Sequence, residues 1–324
     1  MGRLTVLICT HDREQLLAKA LASLNAAERP AGWAVDILVA ANACRDGTHA
    51  ILDAHRRRVP LESGQLPLTW LAEPVPGKSN ALNAAMPRID SDIVAFVDDD
   101  HRVDSGYLAA VCRAADSHPE ADLFCGRILP DWDGSEPGWV HDDGPYRIYP
   151  LPVPRFDHGE LTRELTPDIA IPGGGNLAVR TPWLAKVGRF ATDLGPTGHD
   201  LGGAEDLDWV LRALRLGARL RYAPDMVQYH YVDASRLTLP YLMKKAYKRT
   251  ASTVGLESQN ATGHVPKYLY RKVAEYGLKA GTAISSARRR FYLVRSAAAL
   301  GELAGHWRLR RRVAAGLPAR SAPE

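Results

Sequence analysis

Cysteine is scarce and scattered. Cys9, Cys44, Cys112 and Cys125 form no C-x-x-C pair, and no Cys/His spacing matches a zinc site. That excludes a disulfide scaffold and a structural zinc, and leaves four small hydrophobes in a reducing compartment. No uninterrupted apolar stretch reaches the roughly 20 residues that cross a bilayer, so no membrane-spanning helix is expected. The first apolar run begins at Leu4, so no signal peptide is expected, and Val6 stands where the myristoylation pattern needs Ser or Thr. Internal repeats are absent. Acidic residues are nearly missing from one end: from Arg236 to Glu324 there are 18 Lys and Arg against four acids, a charge of +14, which leaves −10 on residues 1–235. Such a split suggests a catalytic or binding body followed by a basic segment that meets something anionic.

Enough apolar residues are present for a core. At 46% hydrophobic over 324 residues, the chain fits one α/β domain of residues 1–235 and a basic, mainly helical extension over 236–324. Residues 317–324, rich in Pro, Ala and Ser, read as a frayed end. β-branched apolar runs at 4–10, 35–41, 68–72 and 92–98 alternate with helical patterns at 12–24, from 46 onward, at 78–86 and at 106–115. Asp12, with Gln15 three positions on, predicts the cap of the first helix, and Ser105 that of the fourth. This rhythm implies a parallel sheet with helices on both faces, whose ligands sit at the carboxyl ends of the strands. Residues 130–170 break the rhythm with Pro, Trp, Asp and Gly, and read as a long irregular excursion. The stretch 171–180 then returns to a strand, followed by a helix at 204–217 and one or two strands at 218–232.

Thr10, Asn42, the loop at 74–79 and the run Asp98-Asp99-Asp100 all fall on that rim. In an extended chain residues two apart face the same way, so Asp98 and Asp100 can converge on one cation while Asp99 turns elsewhere. Their oxygens suit Mg2+ or Mn2+. The alternative is an acidic turn that caps the next helix. A calcium loop is excluded by Arg102 where its third ligand belongs, and a P-loop by Ala72 at its first glycine. Lys78 can still meet a phosphate as a point charge, or stand as a solvated lysine. Gly173, Gly174 and Gly175 let backbone approach a ligand closely, or make a flexible turn. Glu205 and Asp206 open a helix, where they serve as a cap or as a proton acceptor. His230 ends a strand as a packed residue or a metal ligand.

As an ordered set, "VLICTHDREQLLAKALASL", "NACRDGT", "GKSNALN", "FVDDD", "GGGNLAVR" and "GGAEDLDWVLRALRLG" resemble glycosyltransferase family 2 over residues 4–232. The resemblance implies a GT-A fold, a mostly parallel Rossmann-like sheet flanked by helices. Residues 1–128 would form the nucleotide-sugar half and 129–235 the acceptor half. It implies an inverting, metal-assisted transfer of a sugar from a UDP-, GDP- or dTDP-linked donor to an acceptor glycan, a lipid-linked acceptor or a small molecule. Thr10, Arg13, Asn42, Asp46 and Lys78 would line the nucleotide pocket, with Asp98 and Asp99 on the nucleotide. Asp100, Asp98 and His230 would hold Mg2+ or Mn2+. Gly174, Gly175 and Asn176 would face the sugar, and Asp206 would be the catalytic base beside Glu205. Ala41 stands where the family often has a base-reading acid. The Gln-x-x-Arg-Trp motif of processive synthases is absent, which points to single addition. The rivals are a sugar-phosphate nucleotidyltransferase, which an early basic Gly-rich loop would mark and the chain lacks, and a non-catalytic basic binder. No nucleic-acid module is recognisable in the basic segment. Its mixture of Lys and Arg with aromatics suits an anionic membrane surface on the cytoplasmic side, or a homodimer interface.

Overall fold

The structure is a computed structural model that describes residues 1–58, 64–169, 171–172, 174–193, 205–257 and 265–314. Gly173, the glycines at 202 and 203, and the tail at 317–324 lie outside the described residues. The chain divides into two compact units, one of Met1–Asp131 and Pro154–Tyr231, the other of Trp132–Val153 and Val232–Glu324. The first half of the irregular excursion is thus grouped with the C-terminal helices rather than with the sheet.

In the first unit the alternation runs β1 (Gly2–Thr10), α1 (Glu14–Ala26), β2 (Trp33–Asn42), α2 (Thr48–Arg58), β3 (Leu68–Glu73), α3 (Lys78–Ala85) and β4 (Ile93–Phe96). It continues through β5 (His101–Val103), α4 (Tyr107–Ser117), β6 (Leu123–Asp131), β7 (Arg163–Leu165), β8 (Leu177–Arg180), α5 (Pro182–Val187), α6 (Glu205–Arg215) and β9 (Leu220–Tyr231). The sheet order is β3-β2-β1-β4-β8-β6-β9-β5, with β7 also on β9. β3, β2, β1 and β4 are parallel, whereas β8 runs antiparallel to both β4 and β6, and β5 antiparallel to β9.

Side-chain alternation explains why β1 reads as one continuous apolar run. Leu4, Val6 and Ile8 pack with Leu17, Leu21 and Leu24 of α1. Leu7, on the opposite face, packs with Leu82 of α3 and Trp209 of α6. Both faces of the strand are therefore covered, as parallel strands require, and each buried leucine contributes about 2 kcal/mol.

The second unit holds α7 (Leu239–Glu257), α8 (Tyr268–Gly281) and α9 (Ser286–Ala314). Among the described residues no helix is long and apolar enough to cross a membrane.

Two predicted caps are displaced. Asp12 does not cap α1: its φ is +49°, and its carboxylate accepts from Arg45 N at 2.6 Å. The first amide of α1, Glu14 N, is instead taken by Asp46 Oδ2 at 2.9 Å. Each aspartate caps the other's loop, because the two strand ends lie side by side in the parallel pair. Asp104 rather than Ser105 receives the Gly106 amide ahead of α4, at 3.0 Å.

Candidate active site

The carboxyl ends of β1 and β4, the start of α3 and the start of α6 meet on one rim. Lys78 Nζ lies 3.0 Å from Asp98 Oδ1, 3.0 Å from Asp206 Oδ2 and 3.9 Å from Glu205 Oε1. Burial works against the ammonium, but the three carboxylates raise its pKa well above the ordinary lysine value. Burial also works against the Asp98 carboxylate, yet Lys78 and His101 hold it well below the usual range. Both groups are therefore charged at neutral pH.

Lys78 is positioned by a neighbour expected to touch nucleotide. The Asn42 amide accepts from Gly77 N at 2.7 Å and donates to Val75 O at 2.7 Å and Glu73 O at 3.2 Å, hanging the whole β3–α3 loop. Gly77 has φ +129°, a conformation that side chains rarely adopt, so glycine is required just before the lysine. Polar residues of α3 face the other way: Asn83 bonds both polar groups of the Phe190 backbone, at 2.8 and 2.9 Å, and Phe190 stacks on Trp209 at 5.5 Å. That chain of contacts ties the lysine's helix to the helix that carries Asp206.

Several expected ligand contacts are not available, because the side chains are used inside the protein. Asn42 is one. Asp46 spends its oxygens on Glu14 N and Thr48. Asn176 is fully buried and donates to Arg127 O and Met226 O, both at 2.8 Å, so it joins β6 to β9 and does not face a sugar. Thr10 is buried at the end of β1. Gly174 and Gly175 do face the rim. A Cβ on Gly174 would collide with the Asp206 carboxylate, and one on Gly175 would lie 2.7 Å from Asp98 Oδ2 and 2.9 Å from His101 Cε1. Their lack of side chains is what lets the two acids reach the cleft.

Beyond Asp98 the turn presents a second cluster. Asp99 faces away, as alternation predicts. It is buried, pairs with Arg13 Nη1 at 2.9 Å, and is pushed up to about 6, first by burial. Arg13 also reaches Asp100 Oδ2 at 2.8 Å, so it braces the turn through both acids. The antiparallel register sets His101 opposite His230, with ring centroids 5.0 Å apart. His101 Nδ1 is 2.7 Å from Gln228 Oε1, and the Gln228 amide nitrogen is held by Phe96 O and Tyr107 Oη. His230 Nδ1 is 2.6 Å from Tyr231 O. Each Nδ1 therefore carries the proton, and each Nε2 turns its lone pair toward Asp100, at 3.8 Å from Oδ1 for His101 and 3.7 Å from Oδ2 for His230. Burial pushes the His230 pKa below its ordinary value, so that ring stays neutral. Ligand atoms of Asp100, His101 and His230 all lie within 4.8 Å of one another.

Lone pairs facing carboxylate oxygens repel unless a cation sits among them, so the donor set fits a divalent ion. Imidazole with carboxylate suits Mn2+ better than Mg2+. Among the described residues the group close enough to share one ion is Asp100, His101 and His230, while Asp98, expected with them, turns Oδ1 to Lys78 and lies with Oδ2 3.9 Å from His101 Nε2. The sequence offered one clue: a histidine directly after three aspartates.

Glu205 is 1% exposed, and its Oε2 has no hydrogen-bond partner among the described residues. Burial first and Asp206 second push it up from 4.5 to about 7. The folded chain then keeps a proton that the unfolded chain releases, so this site favours folding most below 4.5 and loses that contribution as pH rises through about 7. Glu205→Gln removes the titration. Between pH 5 and 7.5 the wild-type Tm is expected to fall by about 2–6 °C more than that of Glu205→Gln. Thermal denaturation across that range checks this; equal pH slopes would contradict it.

Comparison with known proteins bears on the family and the fold. The sequence pattern described as Glycosyl transferase family 2 matches residues 5–188. The succinoglycan biosynthesis protein ExoM of Rhizobium meliloti (strain 1021) is 23% identical over 307 residues, covering 92% of this chain and 91% of ExoM. The crystal structure of S. aureus TarS 1-349 in complex with UDP is similar at TM-score 0.56 and 17% identity, covering 97% of this chain and 92% of that one. The chain spans 55% of a longer TarS structure, at TM-score 0.54 and 16% identity. The mannosyltransferase PcManGT from Pyrobaculum calidifontis, in complex with GDP-Man and Mn2+, is similar at TM-score 0.52 and 19% identity, covering 98% of this chain and 77% of that one. The shared architecture is the GT-A fold.

Proposed function

Because the chain belongs to glycosyl transferase family 2, we propose that it moves one sugar at a time from a nucleoside diphosphate sugar to an acceptor hydroxyl, with inversion at the anomeric carbon. One observation carries the reading: the Lys78 ammonium lies 3.0 Å from both Asp98 and Asp206. A group able to meet a diphosphate and a group able to take a proton thus share one cleft. The solved complexes of similar fold contain UDP or GDP-Man with Mn2+, which supports a nucleotide-sugar donor, UDP-, GDP- or dTDP-linked.

Asp100, His101 and His230 are the residues that would hold a divalent cation. When bound, the cation supplies positive charge against the negative charge that builds on the departing diphosphate. Lys78 acts on the same oxygens as a fixed charge already in place, so no reorganisation is needed as the bond breaks. Asp206 accepts the acceptor's proton as the new bond forms. Glu205 lies behind Asp206, buried, with Oε1 3.9 Å from Lys78 Nζ. Backbone at Gly174 and Gly175 forms the wall against which the sugar lies. Attack opposite to the leaving diphosphate inverts the anomeric centre. The absence of the Gln-x-x-Arg-Trp motif supports release after one addition. The basic segment 236–324 supports an enzyme at the cytoplasmic face of an anionic membrane, with homodimer formation as its other use, and an acceptor that is a glycan, lipid-linked or small.

The stereochemical part is testable without the acceptor. With Mn2+ and a panel of UDP-, GDP- and dTDP-sugars, slow donor hydrolysis is expected for one nucleotide class. The first free sugar seen by ¹H NMR should have the anomeric configuration opposite to the donor's. Retention of configuration would overturn the reading.

A further inference from the structure

The second unit contains a cavity of about 890 Å³ between α7, α8, α9 and the segment at 143–152. Its walls carry five cations, Arg147, Lys245, Arg249, Lys272 and Arg295, against two carboxylates, Asp143 and Glu302. One of those carboxylates is already committed: Glu302 pairs with Lys272 at 2.7 Å and accepts from Tyr268 at 3.2 Å. Lys245 and Arg249 are one helical turn apart on α7, where like charges repel. Among the described residues Lys245, Arg147 and Arg295 have no carboxylate within ion-pair distance. The two arginines lie over rings instead, Arg147 over Tyr149 at 5.3 Å and Arg295 over Phe291 at 4.9 Å. Burial, Arg236 and Arg249 lower the pKa of Lys245, with no acid among the causes to oppose them. Between these cations the wall is apolar, with Leu242, Phe291, Val294 and Leu151.

The cavity is built rather than incidental. Gly301 and Gly305 let α9 approach α7 closely: an added Cβ would collide with Tyr247 O at the first and lie 2.8 Å from Ala251 O at the second. Thr250 Oγ1 donates to Ala298 O at 2.6 Å across the same contact. The non-helical wall is pinned to α9 by Arg290, which pairs with Asp142 at 3.0 Å and lies 4.8 Å over Trp139, and by Tyr146 against Phe291 at 5.7 Å. Pinned walls on which Lys245, Arg147 and Arg295 face no carboxylate among the described residues lower the cost of binding an anion, since the walls are ordered before the ligand arrives.

We propose that this cavity is a binding site for an amphiphile with a phosphate or diphosphate head: the cations take the head, and the Leu242, Phe291 and Val294 surface takes the chain. The site deepens the membrane-surface part of the proposed function, because it calls for one bound molecule where a basic face would bind only diffusely. A lipid headgroup and a lipid-linked acceptor share this chemistry.

The test is calorimetry on the full chain with decyl phosphate below its micelle concentration, alongside decanol and inorganic diphosphate. UDP and GDP with Mn2+ are titrated in parallel, so that loss of this site is distinguishable from loss of the transferase reading. Decyl phosphate is expected to bind saturably, at least about 10-fold tighter than either the alcohol or the diphosphate alone. The double variant Lys245→Glu, Arg295→Glu is expected to lose that binding by a similar factor while keeping wild-type nucleotide affinity. Lys245→Gln, a milder change, keeps the test valid if the double variant does not fold, and should weaken binding about 3-fold or more. With binding established, short-chain phosphatidic acid and an isoprenyl diphosphate distinguish a lipid headgroup from a lipid-linked acceptor by which binds tighter. Inorganic diphosphate equal to decyl phosphate, no saturation, or unchanged binding in the variants would overturn the proposal.

Discussion

Asp206→Asn is expected to bind donor nucleotide as wild type does and to transfer sugar about 10²–10⁴-fold more slowly, the range for removing a positioned proton acceptor. The exchange is nearly isosteric. The asparagine oxygen can still accept from Lys78, now 3.0 Å away. What disappears is the ability to take a proton. Glu205 cannot substitute, because it is 1% exposed and cannot reach an acceptor in the cleft. A 10³-fold loss corresponds to about 4 kcal/mol of transition-state stabilisation. Steady-state turnover with saturating donor checks it, read as kcat rather than KM because the loss falls on the chemical step. Turnover within twofold of wild type would remove Asp206 from the mechanism.

Much of this architecture was legible in the chain because it is local. The apolar runs of β1, β2 and β4, each ending in polar residues, locate the rim, and the alternation of strands and helices makes the sheet parallel there. The acid pair at the head of α6 stands out because the helix behind it is strongly periodic. What escaped is non-local. The pairing of His101 with His230 follows from the antiparallel register of β5 on β9, and β5 is only three residues long, too short to show a period. Asp46 caps α1 as well as its own helix, and Asp12 turns to the loop before α2, because two loops meet, so Asp12 fits the local capping rule without filling it. Asn42 and Asn176 read as ligand contacts, yet their amides satisfy buried backbone groups that only the folded topology brings near. Such groups must be paired wherever water is excluded, and a motif does not reveal which side of its backbone an amide serves. The grouping of Trp132–Val153 with the helical unit had no marker in composition either, since Pro- and Gly-rich stretches read alike whichever body they join.

Asp100→Ala carries the second large effect. Asp100 is the carboxylate toward which both imidazole Nε2 atoms turn, at 3.8 and 3.7 Å. Removing it takes the carboxylate from the donor set and leaves the two imidazoles. The turn itself should persist, since Arg13 keeps its 2.9 Å pair with Asp99. Outer groups that merely orient metal ligands are worth about 10–100-fold in metal affinity, so loss of the charged ligand should cost about 100-fold or more. Lys78 and its carboxylates are untouched, and weak cation-independent nucleotide binding should remain. Calorimetric titration of UDP and GDP into wild type and Asp100→Ala, each with Mn2+ and again with EDTA, measures this directly. Tight binding is expected only in wild type with Mn2+, with the variant weak and indifferent to the ion. Equal affinity of wild type in Mn2+ and EDTA, or a cation effect that survives in Asp100→Ala, would contradict the account.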